Sequence, residues 1–154
     1  MIRNVAALVP AVTQASNPCS VMSAIEYGVK HLNVEHIVVM GHSHCGGIHG
    51  LMTPESIAGE TYIQDWVSIA SPALERLQAM TGDEDEKTRS RHCEEGAVLI
   101  SLDNLLSYPW IAERVKNGQL KLHALYYDLS EGNLYRFSPD SEDFELLFHT
   151  IENP

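Results

Sequence analysis

The chain has 154 residues of ordinary composition, 44% hydrophobic and 20% charged, which excludes the disordered, collagenous and coiled-coil classes. Twenty-one acidic side chains against ten basic ones give a formal charge of -11, a field that repels phosphate backbones and argues against general nucleic-acid binding. No apolar run reaches the roughly 18 residues of a membrane span, so no membrane partner is expected.

The length predicts one domain over residues 1–154. The opening MIRNVAALVP lacks the length and the small-residue cleavage site of a signal peptide. Three scattered cysteines (Cys19, Cys45, Cys93) read as free thiols in a reducing compartment, with the cytoplasm as the default. Asn17 and Pro18 predict a helix start, and Val21, Ile25, Val29 and Leu32 carry an apolar stripe along residues 17–32. HIVVMG (36–41) reads as a strand buried on both faces, as in a parallel sheet. HSHCGG (42–47) forms the turn after it, and a short helix follows through Met52.

A longer helical segment starts near Thr61, with Trp66, Ile69, Ala73, Leu77 and Met80 on one side and Pro72 kinking or dividing it. TGDEDEKTRSR (81–91) carries both signs of charge and reads as a solvated connection. Val98, Leu102 and Leu105 resume helical spacing before Pro109, which starts a last helix ending at Gly118. LKLHALYYDL (120–129) is a second strand, joined through Ser130–Asn133 to NLYRF as a terminal hairpin. Alternating strands and helices predict an α/β fold, a mostly parallel sheet flanked by helices with a C-terminal hairpin strand. Ligands of such sheets sit beyond the carboxyl ends of the strands, where HSHCGG falls.

His42 and Cys45 are imidazole and thiol donors on that turn, a combination suited to zinc. Gly46 and Gly47 allow close backbone approach, and a helix starting beyond them favours a thiolate, the form that binds metal. On spacing alone, a buried cysteine beside a histidine in a glycine turn fits equally well.

The longer string SAIEYGVKHLNVEHIVVMGHSHCGGIHGLM resembles the zinc-binding core of the β-class carbonic anhydrases. RHCEEGAVLISLDNLLSYPWIAERVKNGQLKLHALYYDLSEGNLYRF is similar to that family's C-terminal half, and RNVAALVP to its R-N-x-A-N-x-V-P segment, with Ala7 in place of the usual Asn. The resemblance implies zinc as cofactor, with His42 and Cys45 as ligands, and reversible hydration of carbon dioxide to bicarbonate. It implies a pocket lined by Tyr27 and shaped by Gly46 and Gly47, with Arg3 near the bicarbonate-handling region. It also implies a homodimer or a larger homo-oligomer.

The family's first zinc cysteine lies in a C-x-D-x-R motif, and no such motif occurs in these residues. The expectation is therefore a chain lacking the family's amino-terminal part: one metal ligand and the Asp–Arg pair are missing, and impaired activity follows. Cys19 and Cys93 read as small buried hydrophobes and His44 as a solvent-facing loop residue, so none replaces the missing ligand. Tyr27 lies off the apolar stripe of its helix and fits simple packing as well as a pocket wall. Arg3 fits either an oxyanion contact or frayed surface. The rival readings are a non-catalytic family member and a hydrolase of carbon disulfide or carbonyl sulfide that uses the same zinc pocket.

Overall fold

The computed structural model describes residues 1–15, 18–79, 82 and 84–149. Helix α1 (Ser20–Lys30) buries Val21, Met22, Ile25 and Val29, the face that their spacing predicts. It starts later than expected, because Cys19 is extended (φ -122°, ψ 110°) and takes the N-cap position. Pro18 therefore precedes the helix, and Asn17 lies outside the described residues.

Strand β1 (His36–His42) leads into α2 (Gly46–Met52). Then come α3 (Thr61–Val67) and α4 (Ser71–Ala79), divided by a 3-10 turn at Ser68–Ala70 just before Pro72, as predicted. Met80 lies outside the described residues. Helix α5 (Glu86–Leu106) corrects the reading of 81–91 as a connection. Asp85 accepts the Thr88 N–H at 2.7 Å and caps the helix, so residues 86–91 form its first turns. Thr81 and Asp83 of that stretch are outside the described residues. Helix α6 (Pro109–Lys116) begins on its proline and ends near Gly118, whose φ of +71° is the expected left-handed cap.

Strands β2 (Lys121–Asp128), β3 (Asn133–Ser138) and β4 (Asp143–Phe148) complete a sheet of order β1-β2-β3-β4. The α/β class, the flanking helices and the hairpin are as predicted. The pairing, however, is mixed rather than mostly parallel: β1 and β2 run parallel, while β2–β3 and β3–β4 are antiparallel. The hairpin continues through a second tight turn into DFELLF, a strand beyond the predicted hairpin.

Burial of β1 also departs from expectation. Val39 and Gly41 face the helices, whereas Val38 and Met40 are 52% and 53% exposed on the other face. Among the described residues, helices cover that one face only.

Helix α5 lies between two layers. Its Val98 and Leu105 pack with Val39, Ala124, Tyr126 and Phe144 of the sheet. Its Cys93, Ala97 and Ile100 pack with Ile48, Leu51, Ala73 and Leu77 of α2 and α4. Helix α5 approaches β1 closely at Gly41, where an added Cβ would lie 2.5 Å from Val98 Cγ2. Gly41→Ala is therefore expected to overpack this seam and cost about 1–3 kcal/mol, seen as a lower denaturant midpoint at unchanged slope.

Candidate functional site

Parallel pairing sets His42 opposite Tyr127 at the carboxyl end of the sheet. The ladder runs on past β1, with the Ser43 N–H donating to the Tyr127 carbonyl at 2.9 Å. Ser43 is buried; its Oγ accepts the Leu129 N–H at 2.8 Å and donates to Asp128 Oδ1 at 3.4 Å. The same carboxylate accepts the Ser130 N–H at 2.8 Å and the Glu131 N–H at 3.3 Å. Burial alone would raise the pKa of Asp128. The two backbone donors, with Lys87 and Ser43, outweigh it and hold the carboxyl below its ordinary range.

This frame fixes the turn. His44 sits at a φ of +58° with Nε2 2.9 Å from Ser130 Oγ. Cys45 takes the N-cap position of α2 and donates its N–H to Glu94 Oε1 at 2.9 Å. The other oxygen of Glu94 accepts the Tyr126 hydroxyl at 2.7 Å. Glu94 is only 5% exposed, so both carboxylate oxygens are satisfied inside the protein. Burial, and then the adjacent Glu94, push the Tyr126 phenol up, so it stays a donor.

His42 Nδ1 lies 2.8 Å from the Ser43 carbonyl. A carbonyl only accepts, so Nδ1 carries a proton, and in the neutral tautomer this selects, the lone pair is on Nε2. Metal-ligating histidines are commonly prepared in this way. Cys45 is unpaired and buried. An imidazole nitrogen and a thiol at the two ends of residues 42–45 suit zinc chemically, but they supply two ligands where such sites use three or four.

Among the described residues, no group of three His, Cys, Asp or Glu side chains is arranged to hold a metal. His44 is committed to Ser130. Cys93 is fully buried, and burial followed by Glu94 pushes its thiol up to about 11. Cys19 packs at the other core cluster, away from the one that contains Cys45.

Cys45 and Gly46 open onto a cleft of about 800 Å³ that Arg91, Glu94, Tyr126 and Tyr135 also line. The Arg91 guanidinium lies 4.4 Å from the Tyr135 ring centre and 5.3 Å from that of Tyr126, and donates to Glu95 at 2.8 Å. The other residues expected around the pocket are placed differently. Tyr27 is 57% exposed on α1, stacked on His31, and Arg3 is exposed; neither lines the cleft. Gly47 packs against the amino-terminal segment, where an added Cβ would meet Val5 Cγ1 at 2.7 Å.

Sequence reasoning missed Glu94, Arg91, Tyr126 and Tyr135. One signal was available: Glu94 sits between Cys93 and the apolar Ala97 and Val98, at a position the helix must bury, and a buried acid requires donors.

The carbonic anhydrase family model matches residues 1–134. Among curated proteins, the chain is 38% identical over 140 residues to beta carbonic anhydrase 5, chloroplastic, of Arabidopsis thaliana, covering 90% of this chain and 46% of that one. It is 39% identical over 135 residues to beta carbonic anhydrase 3 of the same plant, covering 86% and 52%. The chain thus spans about half the length of these curated relatives. Among solved structures, the β-carbonic anhydrase CcaA superposes with a TM-score of 0.87 at 27% identity, over 94% of this chain and 70% of that one. One of two tetrameric β-carbonic anhydrases of Sordaria macrospora gives 0.66 at 28% identity, over 95% and 66%.

Removing Glu94 tests the frame. Glu94→Leu leaves the buried Cys45 N–H without an acceptor and is expected to cost about 1–3 kcal/mol in a denaturant titration. Glu94→Gln should recover only part of that loss, because its amide oxygen still accepts from Cys45 while the buried Tyr126 hydroxyl loses the acceptor for its own hydrogen.

Proposed function

The chain belongs to the β-class carbonic anhydrase family, and on that basis we propose that its site serves the zinc-dependent, reversible hydration of carbon dioxide to bicarbonate. One observation carries the reading. The H-S-H-C-G-G turn presents a histidine whose Nδ1 donates to a backbone carbonyl, leaving Nε2 as the ligating nitrogen of the neutral ring, three residues before a cysteine whose backbone is held by a buried carboxylate. Zinc, when bound, acidifies its water to a pKa of about 7 and so supplies hydroxide at neutral pH.

The chain's own residues do the rest. His42 and Cys45 hold two ligand positions, and Glu94 and Ser43 keep the turn from relaxing away from them. Gly46 leaves the cleft floor open, since nothing lies within 4 Å of a Cβ added there. Tyr27 and Arg3 remain proposed substrate contacts on the strength of the family resemblance.

The family's C-x-D-x-R motif, with its cysteine ligand and Asp–Arg pair, is not among these 154 residues. We therefore propose impaired activity for this chain by itself. The same shortage of ligands favours, as a second reading, a non-catalytic role; hydrolysis of carbon disulfide or carbonyl sulfide at the same pocket is separated from hydration by substrate assay. Assembly as a homo-oligomer belongs to the proposal, supported by the exposed Val38, Met40, Leu146 and Phe148 of the sheet. So does a cytoplasmic location, which the three free cysteines support.

Stopped-flow assay of the 154-residue chain is expected to show carbon dioxide hydration far below that of a complete family member. Turnover equal to a complete member would show that another residue supplies the third ligand. Zinc at about 100 times its Kd should stabilise the wild type by about 2.7 kcal/mol in thermal melts and leave Cys45→Ser unmoved. An equal response of both proteins would remove Cys45 from the metal site.

A further inference from the structure

The open face of the sheet carries a second pair of metal-ligating side chains, at the far end of β1 from the H-S-H-C-G-G turn. His36 begins β1 and His123 is the third residue of β2. The register sets His36 beside Lys121 and Val38 beside His123, so the two imidazoles project diagonally toward each other from one face. His36 Nδ1 and His123 Nε2 are 2.9 Å apart, with ring centres 5.2 Å apart, the separation of a head-on approach. One ring donates an N–H to the other's lone pair. Without a cation between or beside them, two lone pairs could not be held this close.

We propose that His36 and His123 form a bidentate site for a divalent copper or nickel ion. The argument starts from the 2.9 Å separation. Two cis imidazoles on one ion, at metal bonds of about 2.0–2.1 Å, need their nitrogens about 2.9 Å apart, so binding asks the rings to rotate toward the ion rather than the strands to move. The ordinary order of affinities at imidazole nitrogen points to copper and nickel.

Proton bookkeeping is neutral. The donor ring passes its proton to its other nitrogen, both lone pairs turn to the ion, and no proton is released. His36 is exposed and His123 half-buried, so each ring can swing the further distance without disturbing the core. Burial, and then His36, Arg136 and Lys121, hold His123 below its ordinary pKa, which keeps it the free base that ligation needs. Arg136 and Lys121 also repel a dication, so the site selects for covalent donor strength over charge. Among the described residues no third His, Cys, Asp or Glu joins the pair, and the remaining positions go to water.

The test uses the full chain in a Cys45→Ser background, which removes the other candidate thiolate. Ni²⁺ calorimetry gives the affinity, and Cu²⁺ electron paramagnetic resonance counts the coordinated nitrogens. The expected result is one equivalent of a square-planar Cu²⁺ signal split by two imidazole nitrogens. His36→Gln and His123→Gln should each weaken Ni²⁺ binding at least tenfold and reduce the splitting to one nitrogen, with circular dichroism unchanged. His36→Gln decides alone if His123→Gln fails to fold, because His36 lies at the surface. Unaltered affinity and splitting in the variants, or weak uptake of several equivalents indifferent to both, would overturn the site.

Discussion

The buried carboxylate of Glu94 is the constraint on which the rest of the site depends. It belongs to α5, yet its two oxygens are spent on the Cys45 backbone and on Tyr126 of the sheet. Stranded without these donors, a charge at that depth would cost several kcal/mol, so helix, turn and strand must meet at hydrogen-bonding distance. The seam between α5 and β1 is correspondingly narrow, and residue 41 has to be a glycine there because Val98 occupies the space of a side chain. The position of Cys45 is thus set from behind by α5, while Ser43 and Asp128 set it from the side of β2.

Much of this was legible from residue order. The strand read at 36–41, which runs on to His42, the glycine-rich turn, the split at Pro72 and the helix that starts at Pro109 all follow from local chemistry that tertiary contacts did not override. The amino end of α5 was not legible, because a mixture of charges on the first turns of a helix looks the same as one in a loop; the Asp85 cap distinguishes them only once its bond to Thr88 is seen. Strand β4 and the one-sided burial of β1 depend on which elements lie opposite, and composition does not encode that. At the site, His42 and Cys45 could be read because they lie three residues apart on one turn. Glu94 could not, since it reaches that turn from a helix 49 positions away, and Arg91 could not, since its partners Tyr126 and Tyr135 lie on other strands.

The amino-terminal segment shows how one substitution relates to backbone shape. Ala6 and Ala7 both adopt left-handed φ, +60° and +52°. Asparagine tolerates that region better than alanine, which gives a physical reason for the asparagine that the family pattern places at residue 7. Here the conformation is held from outside. Trp66 Nε1 donates to the Val5 carbonyl, Ser101 Oγ to that of Ala7 and Asn104 Nδ2 to that of Val9, at 2.8, 3.2 and 2.8 Å. Gly47 packs directly beneath.

The parallel pair also has a kinetic meaning. Strands β2, β3 and β4 are neighbours in sequence and can pair as soon as their turns close. Ser43 and Asp128, which meet where β1 and β2 end, are 85 positions apart, and nearly all of the helical layer lies between them. Closing so long a loop draws no reward until the helices are in place, so contacts of this separation slow folding. The turn bearing His42 and Cys45 acquires its shape only when that closure succeeds. His42 and Cys45, although only three residues apart in sequence, therefore reach their native arrangement only with that closure.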